Sequence, residues 1–189
     1  MRVLVGCEES GVVRRAFRDR GHDAWSCDLL PARDGDIHHI RDCITANLRN
    51  NWDIIILHPP CTALAVSGNR WYGKGMPLHK EREIAKRWTL RLFQRAVMYA
   101  NIGVCLENPV GVLGLGVKPQ YIQPWQFGHG ETKKTGLWLA GLPPLTPTYI
   151  VEGREQRVWK MPPSPTRARD RSETYAGIAT AMAEQWGGL

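Results

Sequence analysis

Apolar and polar residues fall along this chain in alternating blocks, short continuous apolar runs followed by stretches of helical spacing. Arg2 to Val5 reads as a first strand, and Val12, Val13, Ala16 and Phe17 then recur on one face of a helix that Gly21 ends. Asp23 to Cys27 is a second strand with Asp28 at its carboxyl end, and Gly35-Asp36-Ile37 reads as the end of a third short element. Ile54 to Leu57 is apolar without alternation, the pattern of a strand covered on both faces, as in a parallel sheet. The spacing of Ile84, Trp88, Leu92, Ala96 and Tyr99 predicts a long amphipathic helix from about His79 to Ala100. Asn101 and Gly103 break it. Val104 to Leu106 forms another strand, stopped by Glu107-Asn108-Pro109, a further strand lies around Leu137 to Ala140, and a last helix spans Ala176 to Trp186. Alternating strands and helices with glycine turns at strand ends predict an α/β fold with a doubly wound sheet.

Two strand ends carry candidate chemistry. After Leu57 come His58, Pro59, Pro60 and Cys61; the prolines fix two φ angles and end the ladder, so Cys61 sits on a stiff turn at the sheet edge where open α/β sheets bind ligands. A cysteine there is placed to act as a nucleophile; the alternative is a small apolar filler. At the first strand end, Gly6 and Gly11 allow close backbone approach at the start of a helix. Asp28, ending the next strand, is placed to accept hydrogen bonds from two ribose hydroxyls. Between the glycines, Glu8 and Glu9 would repel a pyrophosphate and favour a cationic group such as the sulfonium and ammonium of S-adenosylmethionine. An ordinary strand-turn-helix with a surface acid fits the same pattern.

Composition narrows the class. A chain of 189 residues suits one domain and can bury a real core, and no stretch approaches the length of a membrane span. Met1 runs directly into a strand, so no signal peptide is expected. Five cysteines without framework or metal-site spacing favour a reducing cytoplasm, and no metal site is expected. A net charge of +7 points to a polyanionic partner or to a basic solvated surface.

In order, these motifs resemble the cytosine-C5 DNA methyltransferases, over most of the chain and in the compact form of short phage-type members. Gly6-Cys7-Glu8-Glu9-Ser10-Gly11 resembles the family's cofactor loop, Asp28 its ribose-binding acid, Asp36-Ile37 its adenine-binding turn, Pro59-Pro60-Cys61 its nucleophile motif and Glu107-Asn108 its Glu-Asn motif. The resemblance implies a Rossmann-like S-adenosylmethionine-dependent methyltransferase fold, with S-adenosylmethionine as cofactor against the loop, Asp28, Asp36, Ile37 and Pro59. It implies that Cys61 adds to carbon 6 of cytosine and that Glu107 holds, and shares a proton with, ring nitrogen N3 and the exocyclic amine. Asn108 falls with the substrate-side residues and, with Pro109, is expected chiefly to shape the turn.

The departures are as informative. Thr62 follows the cysteine where glutamine is usual. The supporting arginine motif is replaced by a stretch containing Lys133 and Lys134, placed to contact phosphate or keep Cys61 ionised, although lysine lacks the planar fork of arginine. Thr174 or Thr180 is the candidate for the methionine end of the cofactor. No target-recognition domain fits between Ala140 and Asp170, so a single catalytic domain over 1–189 is expected, with a proline-rich basic arm at about 143–171. Arg154, Arg157, Lys160, Arg167, Arg169 and Arg171 either lie along a phosphate backbone or face solvent. Ser67 to Gly75 has the glycines, aromatics and cations of a loop that closes over a flipped base, or anchors the long helix. The expected activity is methylation of cytosine C5 in DNA, with little sequence selectivity, in a bacterial or phage-infected cytoplasm. The alternatives are the same chemistry on a free cytosine nucleotide such as dCMP, and an inactive DNA-binding relative.

Overall fold

Ile54–Leu57 forms β4, and all four of its side chains are fully buried, alternately against the two faces of a seven-stranded sheet. The computed structural model describes residues 1–189. Each such side chain contributes about 1.5–3 kcal/mol of burial, so the strand pins the centre of the fold. β1 (Arg2–Gly6) pairs with β4 on one side and with β2 (Asp23–Asp28) on the other, both in parallel. β3 (His39–Arg41) extends the parallel sheet beyond β2, and β5 (Gly103–Pro109) lies parallel to β4. β7 (Thr135–Ala140) then runs antiparallel to β5 and to β6 (Gln120–Ile122), the edge strand. The order is β3-β2-β1-β4-β5-β7-β6: a Rossmann-type half-sheet order closed by a reversed hairpin.

Helices cover both faces, as the unalternating strands require. On one face α1 (Val12–Arg18) and α7 (Ala176–Trp186) pack on Val3, Val5, Ile54, Ile56 and Cys105. On the other, α2 (Ile44–Asn47) and the 21-residue α4 (His79–Tyr99) pack on Leu4, Ile55, Leu57, Val104 and Leu106. No helix is long and apolar enough to cross a membrane.

Several sequence expectations need correction. Gly35-Asp36-Ile37 ends no strand: the third strand is His39–Arg41, and Gly35, with φ 68°, turns the chain ahead of it. Glu107, Asn108 and Pro109 lie inside β5, because β7 supplies pairing partners as far as Pro109. On α4 the core line runs through Arg82, Thr89, Leu92, Phe93 and Ala96, whereas Ile84 and Trp88 point outward, 58% and 37% exposed. Ser67 to Gly75 is no free loop: it holds a 3₁₀ turn (Val66–Gly68) and a single helical turn, α3 (Asn69–Tyr72). The proline-rich arm is docked along residues 125–132 by backbone hydrogen bonds, including Gly128 N–H to Tyr149 O (2.7 Å) and Thr132 N–H to Glu155 O (2.8 Å). It carries two short helices, α5 (Arg157–Lys160) and α6 (Arg167–Ser172).

Candidate active site

The carboxyl ends of β1, β2, β4 and β5 meet along one edge of the sheet, and most of the predicted site residues stand there. Cys61 follows β4 on the turn made by buried Pro59 and exposed Pro60. Its carbonyl accepts the N–H groups of Leu64 (2.9 Å) and Ala65 (2.8 Å), which starts a tight turn behind the thiol. Three anchors hold that turn. Asn108 Nδ2 donates to Pro59 O at 2.9 Å, tying β5 to the proline turn. Val66 N–H and Val112 N–H bond across to Val110 O and Leu64 O (3.0 Å each), where Gly111 passes so close to Leu64 O that a side chain has no room. Arg82, buried on α4, donates from Nε to Ala63 O (2.6 Å), from Nη1 to Asn69 Oδ1 (2.7 Å) and from Nη2 to Ala65 O (3.2 Å). Arg82 was not foreseen; an arginine on the core-facing line of an otherwise apolar helix is its only sequence signal.

Glu107 points from β5 into the same region. Its Oε2 lies 3.2 Å from His58 Nδ1, and both side chains are nearly covered. Burial acts to raise the Glu107 carboxyl, but His58, Lys133 and the Thr135 hydroxyl together hold it below the ordinary range. Burial pushes the Cys61 thiol up, and the Glu107 charge adds to the rise; Lys133 and Arg171 oppose it. The free site thus holds an ionised carboxylate beside a largely protonated thiol, so formation of thiolate is coupled to what neutralises Glu107. A small pocket joins Glu107, Lys133, Thr135, Thr174 and Tyr175. Through Thr174 and Tyr175 it borders a larger cavity of about 350 Å³ that also touches His129, Arg157, Asp170, Arg171 and Glu173.

The two lysines separate. Lys133 lies by Glu107 and Cys61 and donates from Nζ to Glu173 O at 3.2 Å. Lys134 is exposed, with Nζ 4.5 Å from the centre of the Tyr121 ring, outside the group around Cys61. Asn108 has its amide committed to Pro59, leaving only a buried Oδ1 without a partner. That is the turn-shaping role expected of it rather than an open substrate contact.

At the cofactor loop the acids are mostly engaged within the protein. Glu8 is buried and accepts the N–H groups of Val13 (2.7 Å) and Arg14 (3.3 Å), satisfying free donors at the start of α1. Ser10 Oγ bonds to Glu8 Oε1 at 3.4 Å. Glu9 pairs with Arg33, which also pairs with Glu173. Asp36 faces Arg14 (3.3 Å) and His38 (2.8 Å), whose hydrogen bonds bring its carboxyl down to about 2. The argument that Glu8 and Glu9 await a cationic ligand therefore fails. Gly11 has φ 68°, and a Cβ there would come within 2.5 Å of Arg14 Nη2, so the Arg14 network already requires glycine at this position. Burial, with Asp28 adding to it, pushes the Cys7 thiol up to about 12, so it stays protonated.

What remains open is the connection after β2. Asp28 accepts Leu30 N–H through Oδ1 (2.9 Å) and has Oδ2 without a partner, as a ribose diol requires. The connection after it exposes Leu29, Leu30 and Ile37, the last at 80%, apolar surface suited to a purine face. The donor set thus fits the nucleoside part of S-adenosylmethionine. No group of three or more histidine, cysteine or acidic side chains is arranged to hold a metal ion.

No family model matches the chain, and no curated protein matches it. Among solved structures, it is similar to a protein encoded within an E. coli prophage and described as a DNA modification methyltransferase (TM-score 0.53, 13% identity), with 80% of this chain and 52% of that one aligned. It is equally similar to the Entamoeba histolytica methyltransferase EhMeth (TM-score 0.53, 13% identity), with 87% and 60% aligned. The chain therefore spans between half and two thirds of the length of these proteins. At such identity the likeness concerns the fold: this chain has the Rossmann-like fold of methyltransferases.

Proposed function

We propose that the protein transfers a methyl group from S-adenosylmethionine to carbon 5 of cytosine in DNA, through a covalent bond between Cys61 and carbon 6. The observation that carries this reading is the pairing of Cys61, on its braced proline turn after β4, with Glu107 on the neighbouring strand β5. Carbon 5 of cytosine is not nucleophilic until a nucleophile adds at carbon 6, and a thiolate beside a carboxylate that addresses the N3–amine edge supplies that requirement. Asp28, Leu29, Leu30 and Pro59 would hold the cofactor, which when bound supplies the methyl group. Lys133 balances the Glu107 charge and favours the Cys61 thiolate. After transfer, loss of the C5 proton and elimination of Cys61 release the product. The two structural neighbours, described as methyltransferases, support the general class.

DNA containing 5-fluorocytosine tests this directly, because fluorine at carbon 5 blocks the final elimination. With S-adenosylmethionine present the wild type is expected to form a stable adduct, and Cys61→Ala none. Absence of an adduct from folded, cofactor-binding wild type would overturn the reading. A second reading, the same chemistry on a free cytosine nucleotide, is favoured by the nucleotide-scale cavity of about 350 Å³ beside the site. It is also favoured because Arg154 and Arg157 are engaged within the protein, Arg154 on the Trp125 ring and Arg157 on Glu131.

A further inference from the structure

His58 has no task in the reaction above, yet it occupies the middle of the site. It is the first residue after β4, the strand between β1 and β5, and its backbone N–H donates to Gly6 O at 2.9 Å. Its ring lies between the cofactor-side and base-side strand ends. Nδ1 meets Glu107 Oε2 at 3.2 Å, while Nε2 is buried without a partner. Beside a carboxylate, the single proton of a neutral imidazole belongs on Nδ1, where it makes the hydrogen bond. The orphan Nε2 then carries the lone pair.

We propose that His58 is a positioning residue for Glu107. Its Nδ1–H fixes Oε2 and turns Oε1 toward a bound base. This rests on the reading of Glu107 as the residue that meets the base. Without that hydrogen bond the side chain would be free to rotate, and in so buried a place the carboxyl would tend to take up a proton.

Other groups face Glu107 and must be separated from His58. Lys133 and Thr135 approach from the β7 side, Cys61 from the turn after β4, and Cys105 from its own strand. Tyr175 closes the pocket from the start of α7. Lys133 acts on Glu107 in the same direction as His58, whereas Cys61 and Cys105 are themselves raised by the carboxylate.

The test follows the Glu107 carboxyl itself, by carbon-13 NMR of protein labelled at glutamate side chains, with Glu107→Gln identifying the signal. His58→Ala is expected to raise the pH at which Glu107 titrates and to slow 5-fluorocytosine adduct formation. His58→Asn, which retains an N–H near the Nδ1 position, is expected to bring both back toward wild type. If His58→Ala does not fold, His58→Leu against His58→Asn makes the same comparison. Unchanged Glu107 titration in a folded variant overturns the proposal whatever happens to the rate, and a rise produced by Lys133→Met alone would assign the effect to Lys133. If wild type forms no adduct, the cytosine reading fails, but the titration still decides whether His58 governs Glu107.

Discussion

Arg82→Met asks whether the turn that carries Cys61 owes its geometry to one buried side chain on a remote helix. The arginine makes three hydrogen bonds to the 63–69 segment, to the carbonyls of Ala63 and Ala65 and to the Asn69 side chain. Methionine fills a similar volume and removes all three. A buried acceptor left unpaired costs about 1–3 kcal/mol. Only the bond to Ala65 O is fully enclosed, the other two being reachable by water after a small movement, so the expected loss is about 2–4 kcal/mol rather than the sum of three full penalties. The segment is also held by its bonds to Val110 and Val112, so it should shift rather than detach. A displacement of about 1 Å at a reacting group can cost about 100-fold in rate. The expected result is therefore a modest fall in the urea midpoint and a fall of about tenfold to 100-fold in the rate of 5-fluorocytosine adduct formation, with cofactor affinity retained. Wild-type adduct rate in a folded Arg82→Met protein would refute the claim that Arg82 positions Cys61.

Two further outcomes follow from the charges around the site. Glu107→Gln is expected to abolish methyl transfer yet accelerate alkylation of Cys61 by iodoacetamide near neutral pH: Glu107 raises the thiol, so removing its charge lets the thiol ionise at lower pH, and Lys133→Met should act in the opposite sense. Equal alkylation rates across the three proteins would show that Cys61 does not feel either group. For DNA binding, Arg169→Gln combined with Arg171→Gln is expected to flatten the slope of log affinity against log salt by about 2, since each phosphate contact contributes roughly 0.9. An unchanged slope in filter binding would remove the arm from the DNA interface.

Much of the sheet was legible because β4 and β1 are apolar on both faces, a pattern that few other structures produce. The placement of Cys61 and Asp28 was legible because each motif coincides with a strand end. The errors share a physical origin in long-range partners. Glu107 and Asn108 read as turn residues from their own neighbourhood, and only pairing with β7, nearly thirty residues later in the chain, makes them strand. The buried line of α4 was misplaced because Arg82 and Thr89 occupy core positions, Arg82 through hydrogen bonds that no local pattern announces, while apolar Ile84 and Trp88 face outward. Glu8 looked like an acid awaiting a ligand because its true partners, the free N–H groups of α1, belong to the backbone and leave no mark in the residue types. His58 was passed over beside Pro59 and Pro60, although a polar residue ending the central strand of an open α/β sheet stands at its ligand-binding edge.

The reversed hairpin explains how a cation reaches the site without a motif. β4 and β5 are parallel, so their carboxyl ends deliver His58, Cys61, Glu107 and Asn108 to one edge. A seventh strand in the same direction would bring its own end, near Ala140, to that edge. Because β7 is antiparallel to β5, its beginning arrives there instead, with Pro109 opposite Thr135 and Glu107 opposite Leu137. Lys133 lies two residues before β7 starts and is thereby set beside Glu107 and Cys61, while Lys134 is turned to Tyr121 on the edge strand. The Lys133 ammonium also bonds to Glu173 O just before α7, and Glu173 pairs with Arg33, itself paired with Glu9 after β1. The cation that balances Glu107 is therefore placed by strand direction, and it links the β5 side of the edge to the loop after β1. Moving Lys133 by one position in sequence would put its charge where Lys134 now lies, so its place in the register, more than its being basic, makes it part of the site.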